Sequence, residues 1–473
     1  MDVLPHKRYR ELSGSVVFKA PDIDSSKTGL EYGQSRNQQL LSSGPDSLAQ
    51  QQSGNSIVPS DIAAKIQSGL WETIGSLHEM ATNTPADQAK HISILQAISQ
   101  TDSFKETYED LPQEYHNTFG STLQFVENME AAPLTAQSAE RPEGKAGMSL
   151  LEHAIADFDG DQVFLQDGYT AVIDEVAKHL VEDNLIKLDT TITQIDYTTT
   201  PIKVHTTKGS YTGDEVVCTI PLGVLKDTPK LFHPLLPSAK HSSIENLGFG
   251  TLDKIFLVYS SPWWTEPPFK RTLSQGLVRE PRSWEEPSET DDNDTSQSSI
   301  VLDFETPDTM MGFTTSLPGI SIPQSGTPIT SAARNLSLIN LHALTGYPVL
   351  SCFVSCATAL QIEAMTDDQA GELLHKTITE WFSTQPTASK QEDKIVPPTP
   401  DAVHVTRWRA DEFSKGSYSH MITGLSETKD REVWQIPIKT KGKNQSKTAT
   451  LRFAGEHTSR NREFHYRVSK RSC

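Results

Sequence analysis

The sequence predicts a mixed α/β fold, and three stretches carry that expectation. In DEVVCTIPLGVLK, Asp214 to Lys226, the β-branched run from Val216 to Ile220 reads as a buried strand. It stops where Pro221 removes a ladder donor and Gly223 permits a tight turn, which exposes backbone at the strand's carboxyl end. In IAAKIQSGLWETIGSLHEM, residues Ile62, Ile66, Leu70, Ile74 and Leu77 recur at spacings of three and four, the pattern of an apolar helix face. PVLSCFVSC, just after Tyr347, is a continuous apolar run of strand length. A chain of 473 residues has room for about two to three domains.

In chain order, residues 1–54 are expected to form a poorly ordered leader, because the stretch from Ser25 is rich in Ser, Gln, Gly and Asn without apolar periodicity. A helical part follows over 55–156. Gly168 then leads into a helix that carries Val172, Val176 and Leu180 on one face. Residues 192–197 and 202–207, joined by TTTP, read as two strands of a hairpin feeding the strand at 216–220. Beyond Pro234, the turn at Gly248 and Gly250 precedes a strand over 254–259. EEPSETDDNDTSQSS, Glu285 to Ser299, is acidic and lacks large apolar residues, so it reads as a solvated loop. Thr366 and Gln369 form a capping box that opens a helix with Leu373, Leu374, Ile378 and Trp381 facing inward. STQPTASKQEDKIVPPTP is a linker, and LRFAGEHT, Leu451 to Thr458, is a buried strand ending in a glycine and a charged pair.

Composition narrows the function classes. With 61 acidic against 42 basic residues and a net charge of -19, a nucleic-acid surface is disfavoured. No apolar run approaches the roughly 20 residues that cross a bilayer, and MDVLPHKRYRELSG lacks the apolar centre of a signal peptide, so a cytoplasmic address is expected, with no membrane partner. Four cysteines do not make a disulfide framework in a chain this long. Cys352 and Cys356 read as buried thiols on one face of a strand, a metal pair being the alternative, and no metal site is assigned.

EVVCTIPLGVLK, LFHPLLPSAKHSSIENLGFGTLDKIFL, WRADEFSKGSYSH and LRFAGEHT, in this order, resemble the flavin-dependent amine oxidases, and among them the polyamine oxidases. FDGDQVFLQDGY fits the same resemblance, which therefore covers about Asp157 to Arg460. It implies a Rossmann-like FAD-binding domain, interleaved with a mixed helix/sheet substrate domain: FAD-side segments at 157–258 and 400–473, substrate-side segments at 55–156 and 259–399. It implies that an amine C–N bond is oxidised by hydride transfer to FAD, with dioxygen reoxidising the flavin and hydrogen peroxide released. Lys254 matches the family lysine that holds a water near the flavin. Trp408, Phe413 and Tyr418 match aromatic positions beside flavin and substrate, and Trp264 is carried as a substrate-side aromatic. Glu456 matches the carboxylate that accepts hydrogen bonds from the ribose–phosphate region, and the main chain at Ile192 a position at the adenine end. Core packing is the competing reading for each aromatic, and a strand-edge cation for Lys254.

Two departures qualify the resemblance. The sequence contains no Gly-X-Gly-X-X-Gly turn; Gly248 and Gly250 lack the third glycine and precede a strand. After GEHT, the family's glycine-containing helix gives way to the basic, glycine-free SRNREFHYRVSKRSC. The first cofactor-binding segment is therefore expected to be missing, as in a truncated form. Polyamine oxidation of spermine, spermidine or acetylated forms is the leading reading, and an FAD-deficient remnant or interaction module is its alternative. A histone-lysine demethylase-like oxidase is a third, for which sustained heptads would be expected and are not seen.

Overall fold

The computed structural model describes residues 60–134, 137–138, 141–145, 147–154, 168–265, 310–314, 335–383, 396–441 and 448–459. The leader, the acidic loop, the linker over 384–395, FDGDQVFLQDG up to residue 167 and the stretch from residue 460 lie outside these.

The helical part comprises α1 (Ser60–Asn83), α2 (Ala86–Ala89), α3 (Ile94–Gln100), α4 (Asp102–Asp110) and α5 (His116–Glu130). The periodic residues of α1 do what their spacing implies: Ile62, Ile66, Leu70 and Leu77 are buried and Ile74 packs at the margin of the same core. Ser93 caps α3 through a reciprocal box with Gln96, and Phe104 stacks on Phe119 at 5.2 Å between ring centres. A short antiparallel pair, β1 (Gln137–Ser138) and β2 (Arg141–Lys145), follows.

After α6 (Gly168–Glu182), strands β3 (Ile192–Asp196), β4 (Ile202–Thr206), β5 (Gly209–Gly213) and the distant β7 (Phe232–His233) form one sheet in the order β5-β4-β3-β7. The hairpin thus continues into β5 and does not feed β6 (Glu215–Cys218), which lies parallel to β16 (Thr448–Phe453) in a second sheet, β15-β16-β6, with β15 at Ile438–Lys441. β6 is an edge strand among the described residues. Val217 is 58% exposed and only Cys218 is fully buried, so the buried strand expected from the apolar run is corrected: such a run has the same composition whether or not a neighbour covers it. α6 shows the same effect, with Val172 and Val176 exposed along its apolar side.

α7 (Leu222–Asp227) starts directly at Pro221, and α8 (Ser238–Asn246) precedes β8 (Leu247–Phe249) and β9 (Leu252–Val258). β9 lies inside an antiparallel sheet ordered β10-β11-β12-β9-β13, from Met310–Thr314, Asn335–Asn340, Val349–Ser355, β9 itself and Ala402–Val405. After α9 (Leu341–Thr345) and β12 come α10 (Cys356–Glu363) and α11 (Asp367–Ser383). The Thr366–Gln369 box opens α11, with backbone-to-side-chain bonds of 3.0 and 3.2 Å, and Leu374 and Ile378 are buried. Cys356 begins α10 at φ 49° instead of extending the strand, so it does not share a strand face with Cys352. Both are buried outside any disulfide, and burial pushes the Cys352 thiol up to about 12. β14 (Ser419–Met421) pairs with β8, and α12 (Thr428–Glu432) packs on α8. Among the described residues no helix is long and apolar enough to cross a membrane, and no cluster of His, Cys, Asp and Glu suits a metal ion.

Candidate active site

β9 sets the frame by strand alternation. Asp253, Ile255 and Leu257 face the core, and Lys254 and Phe256 take the other side. Lys254 stands opposite Phe353 in the β12 register, with Nζ 5.1 Å from the ring centre. Among the described residues no carboxylate pairs with this ammonium, and desolvation lowers its pKa. Its main chain is fixed to Thr406: the Lys254 N–H donates to Thr406 Oγ1 at 2.8 Å, and the Thr406 N–H donates to the Lys254 carbonyl at 3.0 Å.

The chain leaving β13 therefore starts against β9, and it carries Trp408 and Phe413 on a loop with both rings about half exposed. Asp253 Oδ1 anchors the loop by accepting from Thr406 Oγ1 at 2.9 Å and from the Trp408 N–H at 3.0 Å. The far side of the loop rests on the Pro221-Leu222-Gly223 turn. A Cβ on Gly223 would lie 2.6 Å from the Ser414 carbonyl oxygen and 2.7 Å from that of Lys415, so only glycine lets the backbones approach. Gly416, at φ 143°, turns the chain so that Ser417 and Tyr418 run beside Gly250 and Leu252. The Tyr418 hydroxyl donates to the Met129 carbonyl at 2.6 Å, tying this loop to the end of α5.

Glu456 follows Gly455, whose φ of 118° favours glycine, and a Cβ there would only make ordinary contact with the Thr219 carbonyl oxygen at 3.8 Å. The Glu456 carboxylate accepts from the Ser419 N–H at 3.0 Å and from Ser419 Oγ at 2.8 Å. Burial raises its pKa, and the nearby Arg431 opposes that rise. Arg431 binds Glu152 at 2.8 Å, with both side chains 4% exposed, and also donates to Ser419 Oγ and the Ser419 carbonyl. Glu152 in turn accepts from the Met421 N–H at 2.7 Å. One buried network thus joins the helical part, β14 and the GEHT turn. His457 stays neutral beside it, its pKa pushed down to about 3 by desolvation and by the cations Arg431 and Lys240.

The structure brings Lys254, Trp408, Phe413 and Tyr418 onto two adjoining segments and sets Glu456 against the same β14 region. Ile192 lies on the four-stranded sheet, 36% exposed, and Trp264 is 1% exposed in the core, its indole N–H donating to Asn340 Oδ1 at 3.1 Å. Sequence reasoning missed Asp253, Glu363, Glu152 and Arg431. A signal existed for Asp253: if Ile255 and Leu257 face inward, alternation forces the carboxylate inward as well.

The profile of the flavin containing amine oxidoreductases matches residues 124–463. The chain belongs to this family. Family membership makes a flavin the cofactor to test against these residues. The chain is 28% identical to histone demethylase-like protein A of Aspergillus fumigatus over 54% of its own length and 18% of that protein's. It is 24% identical to probable polyamine oxidase 5 of Arabidopsis thaliana, over 64% of this chain and 52% of that one. The chain thus spans under a third of the histone demethylase-like relative and about half of the polyamine oxidase relative. Among solved structures, cyclohexylamine oxidase from Brevibacterium oxydans is similar at 15% identity and a TM-score of 0.47, covering 84% of this chain and 70% of that one. The Gly455 turn, at φ 118°, lies at the carboxyl ends of β6 and β16, where α/β sheets take nucleotides, and Trp408 and Phe413 offer half-exposed rings to a flavin's ring system. The glycine-rich cradle for a pyrophosphate is not in these 473 residues.

Proposed function

We propose that the chain supplies the substrate side and the carboxyl-terminal cofactor side of an FAD-dependent oxidase of slender alkyl polyamines. The observation that carries this reading is Lys254: a desolvated ammonium on Phe353, without a carboxylate partner among the described residues, on the strand that anchors the Trp408 loop. A flavin held here would supply the hydride-accepting and dioxygen-reducing chemistry that the protein side chains lack. Lys254 holds a water by its N–H donors and favours negative charge developing near it, an effect strengthened where water is scarce. Trp408 and Phe413 present flat apolar faces to a narrow carbon chain, and Tyr418 closes the side toward α5. Glu456 and the Gly455 backbone hold the nucleotide, and Ile192 contributes main chain at its adenine end. Trp264 supports the substrate side from the core.

The name of the Aspergillus fumigatus relative favours a second reading, oxidation of a methylated protein lysine. Peroxide release by the FAD-saturated chain across spermine, acetylated polyamines, benzylamine and a methylated histone peptide separates the two. Polyamines should lead benzylamine by at least about tenfold in kcat/KM. A lead by the peptide would support the second reading, and no release from any amine would leave a non-catalytic role.

A further inference from the structure

Asp253 is a fully buried acid with an unusual set of neighbours. Its Oδ1 is satisfied by Thr406 Oγ1 and the Trp408 N–H, but its Oδ2 receives no N–H or O–H from the described residues. What faces it is a second acid: the Glu363 carboxyl at the end of α10, which itself accepts from the Arg409 N–H at 2.8 Å. A buried carboxylate and a half-buried one facing it resist both being charged without a cation between them. Among the described residues no cation forms a salt bridge with either acid, and Arg407 acts on Asp253 only through its charge at a distance. Arg407 is committed to Asp367 at 2.7 Å and to the carbonyls of Val405, Glu363 and Met365. Lys254 occupies the opposite face of β9, His404 faces Asp367 and Phe256, and Arg409 is exposed.

We propose that Asp253 and Glu363 share a single proton, and that this proton positions the Thr406–Ala410 backbone, and with it Trp408, against the strand that presents Lys254. With the proton in place, one carboxyl donates to the other and each keeps its own contact to the loop: Asp253 to Trp408, Glu363 to Arg409. When the proton leaves, two anions stand side by side, one of them fully buried, and the cheapest relief is for α10 and the loop to part. Burial raises both acids, and the hydrogen bond and charge of Asp253 raise Glu363 further, to about 7, which sets the pH at which the loop should loosen. Both are positioning residues. The relevance of the loop to catalysis rests on the proposed function, but the shared proton does not.

The test is Trp408 emission in the full chain, taken as the difference from Trp408→Phe and followed across a pH range centred on about 7. Glu363→Gln places a permanent N–H donor where the shared proton sits, and Asp253→Asn does the same from the other side while keeping an acceptor for Trp408. A transition centred near 7 in the parent chain, abolished in either variant and retained in His404→Asn, is the expected result. A parent chain without a transition, or one whose transition survives in both carboxamide variants, would overturn the proposal. Should one variant not fold, the other decides. Loss of amine oxidation with the transition intact would count against the functional reading alone.

Discussion

Replacing Arg431 by Met removes the cation from a site where it holds three parts of the chain together. The guanidinium binds Glu152 at 2.8 Å, with both side chains 4% exposed, and donates to Ser419 Oγ and the Ser419 carbonyl; Ser419 in turn fixes Glu456. Methionine fills much of the volume but leaves the Glu152 and Glu456 carboxyls near each other without their shared countercharge. Removing one partner of a buried pair costs about 3–5 kcal/mol, far more than the pair's net worth, because the penalty is the uncompensated charge left behind. Arg431→Met should therefore lower stability by about that amount in urea unfolding at neutral pH. Adding Glu152→Gln should recover part of it, a positive coupling in a double-mutant cycle. A loss below about 1 kcal/mol for Arg431→Met, the range of an ordinary surface change, would refute the view that this network is the keystone of the GEHT region.

Lys254→Met keeps length and loses charge, so flavin titration should be unchanged while kcat for amines falls at least tenfold, equivalent to about 1.4 kcal/mol; unchanged turnover would return Lys254 to a packing role. The raised Glu363 carboxyl keeps its proton in the folded state after the unfolded chain has lost it, so its stabilising contribution is complete below the ordinary carboxylate range and is lost as pH rises through about 7. Discounted for partial exposure, that contribution is about 1–2 kcal/mol, and Glu363→Gln should flatten the urea midpoint over this window; a parallel slope in the variant would exclude it. FAD should bind only weakly, in the micromolar range or above, because each tenfold in affinity is about 1.4 kcal/mol and several charge-assisted bonds to the pyrophosphate are missing; quenching of flavin fluorescence measures this, and stoichiometric binding at nanomolar FAD would contradict it.

The elements best read from sequence are those whose signals are local. Helix α1 follows from five apolar residues on one face, the opening of α11 from Thr366 and Gln369, and β9, β12 and β16 from apolar runs bounded by turns. What was misread depends on neighbours distant in the chain. Val217 belongs to a strand with one open edge, and nothing in its own stretch distinguishes that from a covered one. The hairpin's third strand, GSYTG, is too polar to announce itself, and Cys356 leaves the strand at a left-handed φ that its type does not advertise. At the site, Lys254, Trp408 and Glu456 were reached through motif resemblance. The residues that hold them, Asp253, Glu363 and Arg431, were not, because their partners lie 12 to 279 positions away, from Ser419 to Glu152 for Arg431, and only folding reveals which groups meet.

The central claim, that this family member oxidises slender alkyl amines through a flavin beside Lys254, is tested most directly by anaerobic mixing of the FAD-saturated chain with spermine while the flavin absorption band is followed. The band should bleach at least about tenfold faster with spermine than with benzylamine, and Lys254→Met should slow the bleaching without releasing the flavin. A bound flavin left unbleached by every amine would contradict it.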